Sequence, residues 1–266
     1  MSNLTILAVA YKPKIDLVSR LIENFSQDYP ILIVNNSLSK INKNFYNIKN
    51  VEIIDNSSNL GNGAGINVGL HKIKTKYALY LDFDSFIDKD NFKKLYDYAE
   101  KLNDFAVLIP NSKSDNGVEP YKTWQKEGSI MFFNLNKIKN KIFFDEKYFL
   151  YFEEMDFFFN CLKKNFDVFF VPKVRIKHEK ATSSYENNTL KALRAWHYAW
   201  SQFYFYKKNF GIIIALGKCV PILMKDIIMS FFYLLTLNIK SYKFRYYRIS
   251  GFLNSIIGFR SWKRIK

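Results

Sequence analysis

"YALYLDFD", residues 77–84, runs five strand-forming apolar residues directly into two carboxylates one residue apart, Asp82 and Asp84. Apolar side chains gain by leaving water, whereas unpaired carboxylates lose heavily there. The strand must therefore end where solvent or a ligand can meet the acids. One bland use is capping the following helix, by Asp84, Asp88 or Asp90. That accounts for one acid and leaves the pair unexplained. Hard oxygen ligands at this spacing suit Mg2+ or Mn2+ bridging the phosphates of a nucleotide.

Outward from this stretch, short apolar runs alternate with helical patterns. Strands are expected at 4–10, 31–35, 51–54, 77–81 and 105–109, and helices at 16–25, 63–73 and 91–102. In the last helix Phe92, Leu95, Tyr96, Ala99 and Leu102 make one apolar stripe. Such alternation predicts an α/β fold, a mainly parallel sheet covered by helices. Ligands of these sheets sit at the carboxyl ends of the strands, where Asp82 and Asp84 lie. From 110 to 150 the pattern loosens into a polar loop and a strand at 129–133. A helix at 152–164 opens on acids, and a strand at 167–172 is expected to stop at its proline.

The two cysteines, Cys161 and Cys219, suit neither a disulfide framework nor a zinc site, which points to a reducing compartment. The apolar run at 4–10 lacks a basic region before it and reads as a first strand rather than a signal peptide. Charge is unevenly placed. Residues 190–266 hold 14 Lys or Arg against one acid, Asp226, a net of +13, and the remainder carries only +3. The stretch 211–239 is apolar, but Lys218, Lys225 and Asp226 divide it into runs shorter than the ~18–20 residues of a spanning helix. One or two helices lying in a membrane interface, followed by the basic-aromatic "KSYKFRYYR" (240–248), are expected; a helical subdomain packed on the rest is the competing reading. A nucleic-acid binder would scatter its bases among reading motifs, and here they cluster beside apolar helices.

In order along the chain stand "AYK" (10–12), "VNNS" (34–37), "NLGNGAGINVG" (59–69), "DFD" (82–84), "FFDEKYFLYFEEMDF" (143–157) and "HEKATSS" (178–184). Together they resemble the family 2 inverting glycosyltransferases of the GT-A fold, in their bacterial rhamnosyltransferase-like branch, over about residues 4–210. The resemblance implies that Asp84, with Asp82, holds Mn2+ or Mg2+ against the diphosphate of a sugar nucleotide, with His178 a further ligand of the metal or the diphosphate; a structural histidine is the competing reading. It implies nucleotide contacts from Ala10, Tyr11, Asn35, Asn59, Gly61, Asn67 and Asp82. Gly128 and Ser129 would pass beneath the donor sugar. As loop aromatics, Trp124 and Tyr121 either stack on a sugar face or, the commoner use, pack against the core. The acidic turn would supply the general base: Glu154 first, then Asp156, with Glu153 and Asp156 orienting the acceptor or the turn. Acids in a first helical turn also serve the helix dipole whatever the function. Arg194, Trp196, His197 and Trp200 are expected to dock the helix that carries them.

Several positions depart from the family pattern. Asn35 stands where an aspartate often meets the nucleobase, and its side-chain carbonyl can still accept from a pyrimidine N3–H. Ala10 and Lys12 replace Thr and Asn, Asn62 and Ile66 alter the glycine-rich stretch, and Ala181 replaces a glycine. The implied chain is a catalytic GT-A domain at 1–188, its nucleotide part about 1–110 and acceptor part about 111–188, with a basic amphipathic helical extension at 189–266. The implied activity moves a sugar from a nucleoside-diphosphate sugar to a hydroxyl of a glycan or lipid-linked glycan in cell-surface polysaccharide synthesis, such as O-antigen. dTDP-rhamnose is favoured, then UDP-galactofuranose or another UDP-hexose. A cytoplasmic site on the inner face of the membrane, contacted through 207–266, is expected, and a homo-oligomer is compatible. The alternative is a non-catalytic nucleotide-binding scaffold of a polysaccharide assembly complex.

Overall fold

The computed structural model describes residues 3–113, 115–141, 143–179 and 188–264; Ala181 and the rest of "HEKATSS" beyond Glu179 lie outside them. The elements run β1 (Leu4–Ala10), α1 (Ile15–Phe25), β2 (Ile31–Asn35), β3 (Val51–Asp55), α2 (Asn62–Lys72), β4 (Tyr77–Leu81), β5 (Ser85–Phe86), α3 (Lys89–Leu102) and β6 (Val107–Asn111). They continue with β7 (Tyr121–Lys122), β8 (Ile130–Asn134), α4 (Leu135–Ile138), α5 (Glu153–Lys163), β9 (Val168–Arg175), β10 (Lys177–His178), α6 (Asn188–Phe210), α7 (Ile212–Leu235) and α8 (Ile239–Ile257). The residues fall into two compact units, 1–144 with 157–185, and 145–156 with 186–266.

The first unit is built on an eight-stranded sheet of order β3-β2-β1-β4-β8-β6-β9-β7. β1 to β4 are mutually parallel, β8 runs against both β4 and β6, and β9 is parallel to β6. Alternate residues of each strand face opposite sides. Leu4, Ile6, Ala8 and Ala10 of β1 join one core with α1 and α3; Leu7 joins the other with α2 and α5. Helices therefore cover both faces, as the near-continuous apolar strands require. α2 lies close on β1 at a glycine: a Cβ on Gly69 would collide with the Leu7 side chain.

The observed strand 168–175 runs through Pro172, although a proline stop was expected there. β7 pairs with β9 only at Phe169 and Phe170, so among the described residues no strand partner on that side needs the missing N–H of Pro172. The β6–β9 register also shifts opposite Pro110 and Asn111. Asp88, not Asp84, caps α3: its carboxylate accepts from the Asn91 amide at 2.8 Å.

In the second unit α6 carries Arg194 to Trp200 and α7 fills most of the apolar stretch 211–239, while "KSYKFRYYR" lies inside α8 instead of following the helices. The acid Asp226, which interrupts the apolar run of α7, is buried and accepts from Arg245 Nη1 at 2.6 Å and Arg248 Nε at 2.7 Å. These arginines are one helical turn apart and reach the same carboxylate. Gly251 of α8 sits so near the Trp196 carbonyl of α6 that a Cβ would overlap it. Trp196, His197 and Trp200 are buried in this unit, with Trp196 Nε1 donating to Ser250 Oγ (3.3 Å) and Trp200 Nε1 to the Phe259 carbonyl (2.9 Å). No described helix is long and apolar enough to cross a membrane.

Candidate active site

β4, an interior strand between β1 and β8, carries the Asp82–Asp84 pair just past its carboxyl end. The Asp82 amide donates to the Ser129 carbonyl and the Ser85 amide to the Asp82 carbonyl, both at 2.9 Å, which turns the chain immediately after the strand. β5 then pairs with β10, placing His178 opposite Ser85, while the Glu179 amide donates to the Asp84 carbonyl at 2.8 Å. This two-residue ladder brings a distant histidine to the aspartates. Asp82, Asp84 and His178 each offer a ligand atom, all within 4.8 Å of one another. His178 Nε2 lies 3.5 Å from Asp84 Oδ1. Asp84, only 4% exposed, holds the imidazole above its ordinary pKa, against the opposing effect of burial. The buried His178 Nδ1 has no hydrogen-bond partner among the described residues. Two carboxylates and an imidazole are a donor set that fits Mn2+ or Mg2+, with imidazole better suited to the former.

Two unforeseen residues brace this loop. Arg20 of α1 donates from Nη2 to the Phe83 carbonyl (3.3 Å) and lies 3.2 Å from the Phe86 ring centroid. Tyr80 directs its hydroxyl at Asp82 Oδ1 (2.5 Å) and Asn62 Oδ1 (3.1 Å), so one proton links the aspartate loop to the start of α2. Tyr80 lies two residues before Asp82 and so on the same strand face, a period-two signal that was available. Arg20 had no such signal, because its target is a backbone carbonyl in another segment.

Of the expected nucleotide residues, Ala10 and Asn35 end β1 and β2, Tyr11 follows β1, Asn59 and Gly61 form the turn into α2, Asn67 lies within α2, and Asp82 follows β4. Ala10 is paired with Asn35, and the Tyr11 hydroxyl is buried without a hydrogen-bond partner among the described residues. Asn35 is 0% exposed. Its Nδ2 donates to Asp55 Oδ1 (2.7 Å) and the Ser39 carbonyl (3.0 Å), and its Oδ1 accepts from the Ser37 amide (2.9 Å). Asn59 Oδ1 accepts from the Gly61 amide at 3.1 Å, shaping the turn into α2. The Asn67 amide makes a two-pronged bond with the Phe144 backbone, at 2.9 and 3.0 Å. Gly128 and the buried Ser129 precede β8, and Trp124 packs edge-on against Phe159 with centroids 5.0 Å apart. Tyr121 is exposed and donates to Asp115 Oδ2 at 2.9 Å.

In the second unit the acidic turn at the start of α5 follows two residues with left-handed backbones, Tyr151 (φ 69°) and Phe152 (φ 66°). Such conformations cost roughly 1 kcal/mol or more for a non-glycine residue and persist only under external constraint. That constraint is visible. The Leu150 carbonyl accepts from Ser201 Oγ at 2.9 Å, and Phe152 packs on Tyr198 and Phe205. Asp156 is 0% exposed and accepts from Lys208 Nζ (2.6 Å), Asn209 Nδ2 (2.7 Å) and the Tyr148 hydroxyl (3.3 Å). Lys208 also binds Asp145 Oδ2 at 2.8 Å. Burial pushes Asp145 upward, but Lys208, the Lys147 amide and Tyr204 outweigh it and leave its pKa below the usual carboxylate value. Glu153 is 2% exposed, whereas Glu154 keeps part of its surface open. Of the three acids, Glu154 is the one whose surface is partly open to solvent.

An α/β domain with an acidic strand end is thus the class that fold and site define. The chain belongs to glycosyl transferase family 2, which matches residues 15–163, more than half its length. Agl10 of Haloferax volcanii, a low-salt glycan biosynthesis hexosyltransferase, is 20% identical over 199 residues. That match covers 63% of this chain and 64% of the relative, so the chain spans less than two thirds of that protein. The mannosyltransferase PcManGT of Pyrobaculum calidifontis, solved with GDP-Man and Mn2+, aligns with a TM-score of 0.56 at 11% identity, covering 96% of this chain and 87% of that one. S. aureus TarS 1-349 aligns with a TM-score of 0.50 at 16% identity, covering 96% and 91%. These likenesses establish a GT-A-like α/β fold with a mainly parallel mixed sheet and C-terminal helices.

Proposed function

We propose that the protein is a metal-dependent inverting glycosyltransferase, transferring a sugar, with rhamnose favoured, from a nucleoside-diphosphate sugar to a hydroxyl of a glycan or lipid-linked glycan. The observation that carries the reading is the convergence of Asp82, Asp84 and His178 at the end of β4 in a family 2 chain. Those residues would hold the divalent cation, which when bound would supply Lewis-acid stabilisation of charge on the departing diphosphate. Glu154 accepts the acceptor hydroxyl's proton as its oxygen attacks the anomeric carbon. The bond to the diphosphate breaks on the opposite side, inverting the centre. Glu153 and Asp156 set the turn rather than take the proton, since Asp156 already accepts from Lys208, Asn209 and Tyr148. Ala10, Tyr11, Asn59 and Gly61 line the nucleotide end, with Asn35 and Asn67 supporting it, and Gly128, Ser129 and Trp124 belong to the sugar end.

The same reading puts α7 and α8 against the cytoplasmic face of the membrane. Ile213, Ile228, Phe231 and Leu235 are exposed large apolar residues of α7. They stand in a segment of net charge +13, which suits an anionic surface and disfavours pairing with a second, equally basic copy.

The test is release of nucleoside diphosphate from a panel of sugar nucleotides with Mn2+ or Mg2+. Glu154→Gln should lower turnover by about 100-fold or more while leaving nucleotide binding intact, and a chelator should abolish both release and tight binding. Binding without release for every donor and acceptor pairing would sink the enzymatic reading.

A further inference from the structure

β2 and β3 end side by side, with Asn35 in register with Asp55. The orientation of the Asn35 amide is settled by its neighbours. Two acceptors, Asp55 Oδ1 and the Ser39 carbonyl, face Nδ2, and one donor, the Ser37 amide, faces Oδ1. A flipped amide would set acceptor against acceptor twice. Both amide hydrogens are therefore consumed, and the side chain is wholly buried. Asn35 is poorly placed to meet a base directly.

Asp55 has the opposite character. It is exposed, and its carboxylate is held from two sides, by Asn35 at Oδ1 and by the Tyr46 hydroxyl at 2.8 Å from Oδ1 and 3.1 Å from Oδ2. Burial, and then Asp55 itself, push the Tyr46 phenol up to about 12, so it remains a donor throughout the neutral range. A carboxylate offers about four acceptor sites, and these contacts leave Oδ2 with capacity to accept more. The group stands at the carboxyl ends of parallel strands, where ligands of open α/β sheets bind.

We propose that Asp55, oriented by Asn35 and Tyr46, reads the nucleobase of the donor and selects bases that present a ring N–H beside a carbonyl. Uracil, thymine and guanine meet that requirement. Adenine and cytosine turn an unprotonated ring nitrogen toward the carboxylate, setting acceptor against acceptor. This inference rests on the reading of the chain as a sugar-nucleotide enzyme and narrows its donor class.

The experiment measures binding of UDP, dTDP, GDP, ADP, CDP and inorganic pyrophosphate to the full chain with Mn2+, by titration calorimetry. Wild type should bind at least one of UDP, dTDP and GDP about tenfold or more tighter than ADP and CDP, the factor one lost hydrogen bond to a charged group supplies. The arm that binds tightest names the base. Asp55→Ala should erase that preference while leaving pyrophosphate binding unchanged, which certifies the fold and the metal end. Tyr46→Phe should weaken the preferred nucleotide by a smaller factor. Unchanged discrimination in a folded Asp55→Ala protein, or a wild-type preference for ADP or CDP, would overturn the assignment to Asp55 alone. Absence of any nucleotide or pyrophosphate binding by wild type would overturn the glycosyltransferase reading with it.

Discussion

Lys208 and His197 show how single side chains carry the second unit. Lys208 sits between Asp145 and Asp156, the latter fully buried, at 2.8 and 2.6 Å. Removing one partner of such a pair leaves charge in a poor solvent and costs about 3–5 kcal/mol. Lys208→Met should therefore lower the chemical-denaturation midpoint markedly, and Lys208→Met/Asp156→Asn should recover part of the loss, read by urea melts. A double variant no better than the single would remove the ion-pair explanation. His197 lies buried with Nδ1 against Ser261 Oγ at 2.9 Å, and burial, with Lys263 and Arg264 nearby, pushes its pKa down to about 4. The unfolded chain binds that proton near pH 6.5, so stability is full above this pH and falls as pH drops toward 4, by about 3 kcal/mol in all. Thermal melts across this window should be flatter for His197→Gln than for wild type. Equal pH slopes would dismiss the imidazole as the source.

Among elements, two small pairings do much of the positioning. The β5–β10 ladder is only two residues long on each side, yet it places His178 opposite Ser85, beside Asp84. Helices α6 and α8 approach closely because Gly251 presents no side chain to the Trp196 carbonyl. Gly251→Ala should cost about 1–3 kcal/mol through overpacking against backbone that has little freedom to shift. Circular dichroism melts of the variant check this, and an unchanged midpoint would mean the helices slide apart freely. Both pairings involve segments far apart in the chain, so no local propensity announces them. Pro172 makes a similar point. Proline is a sound strand stop where a ladder runs on both sides, but β7 ends before reaching it.

The whole molecule divides its chemistry between two units. The first holds the acidic strand end and its candidate metal ligands; the second holds the acidic turn together with the basic helices. Residues 145–156 pack with the C-terminal helices, so the motif containing Glu154 depends on α6. If α7 and α8 lie on a membrane, binding to vesicles containing anionic phosphatidylglycerol should fall steeply between low and 0.5 M salt, and Ile228→Glu/Phe231→Glu should abolish it. Sedimentation with vesicles reads this directly, and salt-independent binding or none would remove the membrane from the account. The longer strands and helices in their order, the apolar faces and the acidic pair were legible in the sequence by itself, because strand and helix periods are local properties written residue by residue; the short β5, β7, β10 and α4 were not. Only the tertiary structure decided that a β5–β10 ladder delivers His178 to the aspartates, that Asp226 and Asp156 are neutralised by bases elsewhere in the chain, and that Asn35 turns inward to orient Asp55. Each of these depends on which charges and hydrogen-bonding groups meet after the chain has closed. A buried polar group is tolerated only when folding delivers its partner, and the partner's place in the sequence is free.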